Sequence, residues 1–101
     1  MPGLSAKHSF HLVVDDEEEI RNGMCRYFPW DQVGFQLVGF ASNGRQAFDF
    51  LIRDPVDILL CDIRMPIMDG LELARTIRGA GMDTTIIFFS AYRDLSLIHI
   101  S

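Results

Sequence analysis

Three aspartates and one serine stand directly after short apolar runs of the 101-residue chain. Asp15 and Asp16 follow "FHLVV", Asp62 follows "DILLC", and Ser90 ends "TIIFFS". Short apolar runs bounded by polar residues are typical of buried β-strands. The spacing therefore predicts that carboxylates and a hydroxyl lie at the ends of strands that are distant in sequence.

These residue types indicate metal-assisted phosphoryl chemistry. Carboxylates gathered in a partly desolvated cleft raise one another's pKa values unless a cation neutralises them. Carboxylate and carbonyl oxygens suit Mg²⁺ or Mn²⁺, whereas zinc prefers histidine or cysteine, and we expect His8, His11 and His99 to lie elsewhere. An aspartate beside such an ion accepts a phosphoryl group as an acyl phosphate. The Ser90 hydroxyl is then expected to hydrogen-bond that group.

The elements that must position these residues alternate along the chain. Strands are predicted over 10–14, 35–41, 56–61 and 85–90, with helices over 17–28, 45–54 and 71–78. The third strand lacks polar alternation, which is typical of a strand buried on both faces of a parallel sheet. The order βαβαβαβ with short connections predicts an open α/β architecture with right-handed crossovers. Because parallel strands end at one edge, the three aspartates and Ser90 are expected to converge there.

Composition limits the classes of protein that fit. With 49% hydrophobic and 23% charged residues, 101 residues predict one globular domain. A net charge of -5 disfavours nucleic acid as a partner of this segment, since phosphate binding needs clustered Lys and Arg. We find no signal peptide and no apolar stretch of membrane-spanning length, so a cytoplasmic protein without a membrane partner is expected. Cys25 and Cys61 are interpreted as reduced core thiols.

Four motifs, taken in order, resemble the receiver domain of two-component response regulators. They are "LVVDDEEEIR", "ASNGRQAFDFL", "DILLCDIRMPIMDGLELARTIR" and "IIFFSAYRD", and the similarity runs from about Phe10 to Arg93. Any one of them alone would mean little, whereas together they are specific. The resemblance implies a flavodoxin-like, doubly wound parallel sheet with strand order 2-1-3-4.

The same resemblance implies a metal site and a phosphoacceptor. Asp62 would take a phosphoryl group from a sensor histidine kinase, in a Mg²⁺-dependent reaction that the receiver itself catalyses without being a turnover enzyme. Asp16 would ligate the ion directly and Asp15 through water. The main-chain carbonyl of Arg64 would supply a further oxygen.

Other positions acquire roles from the resemblance as well. Ser90 occupies the place of the switch hydroxyl, and Pro66 and Gly70 are expected to shape the loop after the acceptor so that the backbone approaches the site. The stretch "FPWDQVGFQLVGFASNGRQA" is similar to receivers of AraC-type response regulators. That similarity implies transcription regulation, DNA binding only through a C-terminal domain outside this chain, and a receiver dimer in the full-length form.

The chain departs from the family after its fourth strand. A complete receiver continues to a fifth strand bearing a lysine and to further helices, but here "SAYRDLSLIHIS" follows and no lysine occurs after Lys7. We therefore expect an N-terminal extension (1–9), an incomplete receiver (10–93) and an atypical tail of foreign origin (94–101). The flank of the fourth strand is expected to lose its cover, exposing Ile86, Ile87, Phe88 and Phe89.

Two other functions remain open from the residues alone. A non-catalytic, receiver-like interaction module agrees with the missing lysine, although it leaves the acidic trio unexplained. A Mg²⁺-dependent aspartyl phosphatase would need a second, acid/base aspartate two residues after the nucleophile, where Arg64 stands. Turnover of a phosphate ester would distinguish the phosphatase from a receiver.

Overall fold

A computed structural model of the protein describes residues 9–89 and the main chain of residues 99 and 100. Its strands are β1 (Ser9–Val14), β2 (Phe35–Ala41), β3 (Ile58–Asp62), β4 (Thr85–Phe89) and a two-residue β5 (His99–Ile100). They form one sheet in the order β2-β1-β3-β4-β5. The first four are parallel, whereas β5 pairs antiparallel with β4. The α/β fold with strand order 2-1-3-4 is thus confirmed, and the antiparallel β5 was not anticipated.

Three α-helices connect the parallel strands of the described chain: α1 (Glu18–Tyr27), α2 (Gly44–Arg53) and α3 (Gly70–Gly79). Two of these helices begin at a capping residue whose side chain accepts a hydrogen bond from a backbone N–H that would otherwise be unpaired. Asn43 caps α2 through the Gln46 amide at 2.9 Å, and Asp69 caps α3 through the Glu72 amide at 2.8 Å. With 10 residues each, no helix in this part of the chain has the length and apolar character needed to cross a membrane.

The core lies between one face of the sheet and the helices α2 and α3. Because side chains alternate between faces, Leu12, Leu59 and Ile86 all project to this side, where they meet Leu51 of α2 and Leu73 of α3. The expectation that the flank of the fourth strand is exposed was wrong for two of the four residues that it named. Ile86 and Phe88 are buried in this core, since their face is covered by the two helices irrespective of what adjoins the strand edge.

The opposite face of the sheet is covered less completely. None of the residues of α1 is buried, and a cavity of about 260 Å³ opens between this helix and the sheet. Its walls are apolar and include Met24 of α1 and Leu60 of β3. The interpretation of Cys25 as a core thiol was wrong, because the residue lies on the exposed side of α1. Cys61, on the core face of β3, is buried as expected.

His11 is the most unusual residue on this face. Its side chain is buried, stacks on Phe35 with ring centroids 4.2 Å apart and meets Trp30 edge-on at 5.4 Å. Neither ring nitrogen has a hydrogen-bond partner among the described residues. Burial lowers the pKa of His11 below its ordinary value of 6.5, although the negative charge of Asp57 opposes the shift. The imidazole is therefore neutral in the folded protein at neutral pH, and it leaves polar atoms unsatisfied.

Replacing His11 by phenylalanine should stabilise the protein, and more so in acid. The variant keeps the aromatic ring contacts and removes two buried nitrogens that have no hydrogen-bond partner. Removing their desolvation penalty should raise the free energy of unfolding by about 1 to 3 kcal/mol. Because the folded pKa is lowered, the unfolded chain binds more protons, so wild-type stability is lost as pH falls below about 6.5. Urea unfolding from pH 5 to 8 should show a gap between His11→Phe and wild type that widens toward pH 5. A pH-independent gap would contradict the assignment of a neutral buried imidazole.

Candidate functional site

The C-terminal edge of the sheet brings three carboxylates together. Asp15 directly follows β1 and Asp62 ends β3, and these strands are neighbours with Val14 opposite Cys61. Carboxylate oxygens of Asp15, Asp16 and Asp62 all lie within 4.8 Å of one another. The convergence expected from parallel strand ends is therefore observed for the three aspartates. Ser90 lies outside the described residues.

Asp15 is held by hydrogen bonds on every polar group except one. Its N–H donates to the carbonyl of Ala41 at 3.0 Å, and its carbonyl accepts from Nη1 of Arg21 at 2.6 Å. Oδ1 accepts from the N–H of Glu17 at 2.8 Å. Oδ2 is buried and has no partner within the described residues. A carboxylate oxygen that is desolvated and unpaired at the centre of an acidic cluster is open to a cation.

The electrostatics of the cluster are unfavourable without such a cation. Burial raises the pKa of Asp15 from 3.8 to about 6; the Glu17 N–H opposes the shift, and the charges of Asp62 and Asp16 add to it. Burial also raises the pKa of Asp62, against the hydrogen bonds from the N–H groups of Ile63 and Arg64. Two neighbouring carboxyl groups are thus both shifted toward the protonated form, which is the state that a bound cation reverses.

The donor set fits Mg²⁺ or Mn²⁺. Asp15 and Asp62 offer buried oxygens, while Asp16 is exposed and can complete a partly hydrated ion. Cys61 is close in sequence, but its thiol donates to the Asp62 carbonyl at 3.1 Å, and burial raises the pKa of that thiol so that no thiolate is present. His11 projects into the cavity on the other face of the sheet. An oxygen-only site of this kind suits a hard divalent ion rather than zinc.

The loop between Asp62 and α3 is fixed at both ends by its backbone. The N–H of Gly70 donates to the carbonyl of Ile63 at 2.8 Å, and the N–H of Gly44 reaches the carbonyl of Met68 at 2.9 Å. Between them the N–H of Met68 donates to the carbonyl of Pro66 at 2.7 Å around Ile67, whose φ is 69°. This is a strained γ-turn for a β-branched residue. The loop therefore follows the acceptor in a fixed conformation.

Gly70 is required by close packing against the acceptor residue. A Cβ at this position would collide with the carbonyl oxygen of Asp62 and lie 3.1 Å from Cα of Ile63. The absence of a Cβ thus allows the backbone at Gly70 to pack against the backbone of Asp62 and Ile63, while the role of Gly70 in the site stays a prediction. Pro66 contributes the carbonyl that closes the γ-turn.

Sequence reasoning missed two residues that build this site. Arg21, on α1, donates to the carbonyl of Asp15, and the N–H of Gly44, at the start of α2, donates to the Met68 carbonyl across a space that a Cβ would fill. Both lie inside the motifs used above, but neither has a residue type or spacing that signals contact with an acidic cluster. Only the packed structure reveals them.

Comparison with known proteins identifies one family. A family model described as "Response regulator receiver domain" matches residues 12–100. The chain is 33% identical over 81 residues to the "Uncharacterized transcriptional regulatory protein YesN" of Bacillus subtilis and 35% identical over 85 residues to the "Response regulator MprA" of Mycobacterium tuberculosis. These alignments cover 80% and 84% of this chain but only 22% and 36% of the relatives. The chain thus spans about a third or less of these proteins' length.

Solved structures show the same fold. The receiver domain of AraT, a response regulator from Geobacillus stearothermophilus, superposes with a TM-score of 0.77 at 32% identity, covering 88% of this chain and 69% of that one. A two-component transcriptional regulator AraC from Clostridium phytofermentans gives 0.75 at 35% identity, with 87% and 71% covered. The CheX-CheY-BeF3-Mg complex from Borrelia burgdorferi gives 0.71 at 27% identity, with 88% and 66% covered.

Removing the buried charge of Asp15 should stabilise the ion-free protein at alkaline pH. The folded state binds more protons than the unfolded state between pH 3.8 and about 6, so the penalty accumulates through that window and is complete above it. Asp15→Asn should therefore add about 1 to 2 kcal/mol to the free energy of unfolding at pH 8 and much less at pH 4. Mg²⁺ should stabilise the wild type at pH 8 but not the variant.

Urea unfolding in EDTA and in Mg²⁺ measures both effects. Asp83→Asn, at an exposed loop aspartate, is the matched control and should change neither. Equal stability of Asp15→Asn and wild type at pH 8 would contradict the electrostatic description of the cluster.

Adding one methyl group at Gly70 should damage the site, because the collision is with backbone atoms that cannot rotate away. Gly70→Ala should lower the free energy of unfolding by about 2 to 4 kcal/mol. The control is Gly79→Ala at the other end of α3, where an added Cβ has no neighbouring atom within 4 Å outside the helix backbone. This substitution should leave the free energy of unfolding unchanged or raise it slightly. Thermal unfolding compares the two variants, and equal effects would show that Gly70 is not packed against Asp62.

Proposed function

The chain belongs to the response regulator receiver domain family, and from this premise we propose that Asp62 accepts a phosphoryl group from the phosphohistidine of a sensor histidine kinase. The observation that carries the proposal is the acidic cluster itself: carboxylate oxygens of Asp15, Asp16 and Asp62 lie within 4.8 Å of one another, and the buried Oδ2 of Asp15 has no hydrogen-bond partner among the described residues. It supplies a cation position directly beside a nucleophile. A signalling module that is phosphorylated once, rather than a turnover enzyme, fits this arrangement.

The residues that would hold the ion are Asp15, Asp16 and Asp62, with the main-chain carbonyl of Arg64 as a further oxygen. Bound there, Mg²⁺ or Mn²⁺ supplies positive charge that offsets the negative charge of the carboxylates and of an incoming phosphoryl group. The Borrelia complex named above contains Mg in a protein of this fold, which supports the same ion here. Zinc is disfavoured because the described cluster offers oxygens alone.

Asp62 is suited to the nucleophilic role by its position. One carboxylate oxygen attacks phosphorus, the P–N bond to the donor imidazole breaks, and the imidazole nitrogen takes the electron pair. The N–H groups of Ile63 and Arg64 hydrogen-bond the carboxylate and hold it in place for attack. The products are an acyl phosphate on Asp62 and a neutral histidine, because the phosphohistidine ring reacts with its second nitrogen protonated and so leaves as a neutral imidazole.

Ser90 and the loop complete the proposal. Ser90 would act as the switch hydroxyl that bonds the transferred phosphoryl group. Pro66 and Gly70 would keep the loop after Asp62 in the conformation described above, so that the Arg64 carbonyl faces the ion. These assignments follow from the family's motifs at these positions of the chain.

The role of the whole protein is proposed from its relatives. YesN, MprA and the AraC regulator are transcriptional or response regulators, and the present chain spans only part of each. We propose that the full-length protein is a cytoplasmic transcription regulator, in which phosphorylation of this domain controls DNA binding by a C-terminal domain, with receiver dimerisation as the intermediate step.

The chemistry is tested with acetyl phosphate, a small phosphodonor that needs no cognate kinase. In Mg²⁺, the chain should gain the mass of one phosphoryl group in an alkali-labile linkage, and Asp62→Asn should abolish the gain. EDTA should suppress it, because the charges of the acidic cluster are then not neutralised. Asp83→Asn, at an exposed aspartate away from the cluster, should be phosphorylated like the wild type.

Two results would contradict the proposal. No mass gain under these conditions, or a gain that persists in Asp62→Asn, would leave a non-catalytic interaction module as the better description. Repeated turnover of a generic phosphate ester would favour the aspartyl phosphatase instead.

A further inference from the structure

Arg21 is a basic residue whose side chain contacts the acidic cluster. It lies on the first turns of α1, and its Nη1 donates to the main-chain carbonyl of Asp15 at 2.6 Å. Such a charge-assisted hydrogen bond is stronger than a neutral one. The guanidinium is partly buried, so its charge is less screened than that of an exposed arginine. The contact ties the helix to the end of β1 at the residue whose carboxylate faces the cluster.

The hydrogen bond from Arg21 restricts the backbone conformation at Asp15. The amide of Asp15 is held by Ala41 on the neighbouring strand, and Oδ1 is held by the amide of Glu17. With the carbonyl held by Arg21, the peptide plane that follows Asp15 is fixed as well. Asp15 is therefore held by three separate hydrogen bonds, while its Oδ2 stays buried without a partner among the described residues.

The helix that carries Arg21 has few other attachments. None of its residues is buried, and its N-cap residue, Glu17, makes no side-chain capping bond. At its C-terminal end, Nε1 of Trp30 donates to the carbonyl of Met24 at 2.8 Å. Within residues 9–89, one side-chain hydrogen bond near each end ties the helix to the rest of the fold, and these two bonds can be removed separately.

We propose that Arg21 is a positioning residue of the metal site: by holding the Asp15 carbonyl, it preorganises the acidic cluster for the divalent ion. The inference rests on the proposed function, since it concerns the same ion. The direction in which Mg²⁺ affinity changes when Arg21 is removed distinguishes positioning from a simple charge effect. A cation beside a metal site repels the metal, so removing Arg21 should tighten Mg²⁺ binding if only charge matters. If Arg21 acts by positioning, removing it should weaken Mg²⁺ binding.

The experiment titrates Mg²⁺ into the full chain and follows amide signals of the acidic segment by NMR. Arg21→Met, which keeps the apolar stem, should raise the dissociation constant roughly tenfold, corresponding to the loss of one charged hydrogen bond. Arg21→Lys should recover part of the affinity, because it restores a charged donor without the planar fork.

Two control variants separate positioning from its alternatives. Arg26→Met removes the same charge from the same helix at a residue that lies over the Tyr27 ring, and it should leave the dissociation constant within about twofold of wild type. Trp30→Phe removes the other tie of α1 while keeping an aromatic ring, and it should also leave Mg²⁺ affinity nearly unchanged. Equal weakening by Trp30→Phe and Arg21→Met would assign the effect to helix docking and overturn the proposal.

A second measurement needs no metal. Hydrogen exchange of the Glu17 amide, which donates to Oδ1 of Asp15, should become roughly tenfold faster in Arg21→Met and stay at the wild-type rate in Arg26→Met. Unchanged exchange in Arg21→Met would overturn the inference, as would tighter Mg²⁺ binding. If wild type shows no saturable Mg²⁺ binding, the proposed metal site fails, while the exchange rate still decides whether Arg21 orders Asp15.

Discussion

The buried carboxylate of Asp15 is the constraint on which the rest of the site depends. Its side chain is inaccessible to solvent, one of its oxygens has no partner among the described residues, and Asp62 lies beside it. A folded protein tolerates such a group only as a neutral acid or as the ligand of a cation. Near pH 7 Asp15 is only partly protonated, because burial raises its pKa to about 6. These properties are the basis for proposing a divalent ion at the acidic edge.

The fold creates this constraint and also limits its cost. Parallel pairing of β1 and β3 places Asp15 and Asp62 side by side, while the core face of the same strands is filled by α2 and α3. Backbone contacts then fix each carboxylate locally, through Glu17 for Asp15 and through Ile63 for Asp62. Stability therefore comes from the covered face of the sheet, and the edge is left free to carry the unfavourable charges of Asp15 and Asp62.

Strand ends were predictable because they depend on local pattern. β2 is observed at Phe35–Ala41, as the sequence predicted, and the convergence of Asp15 with Asp62 follows from strand direction alone. The burial of particular helix faces was less predictable. A helical apolar stripe shows that α1 has an apolar face, but it does not show how much of that face meets the sheet, and Cys25 was misplaced for that reason.

Long-range contacts set the remaining limit on prediction. Ile86 and Phe88 are buried because α2 and α3 cover their face, which no local feature of β4 reveals. The bond from Arg21 to Asp15 joins an ordinary surface residue type to a main-chain atom, so no motif of residue types indicates it. Boundaries of the receiver at 10–93 and of the tail at 94–101 stay predictions, and most of that tail lies outside the described residues.

The central claim is that the acidic edge exists to hold a divalent ion, and the titration of Asp15 itself tests it most directly. Carbon-13 NMR of the Asp15 carboxyl group, followed from pH 3 to 8 with and without Mg²⁺, reports its pKa. The account predicts a pKa of about 6 in EDTA that falls well below that value in saturating Mg²⁺. A pKa near 3.8 that does not respond to Mg²⁺ would contradict it.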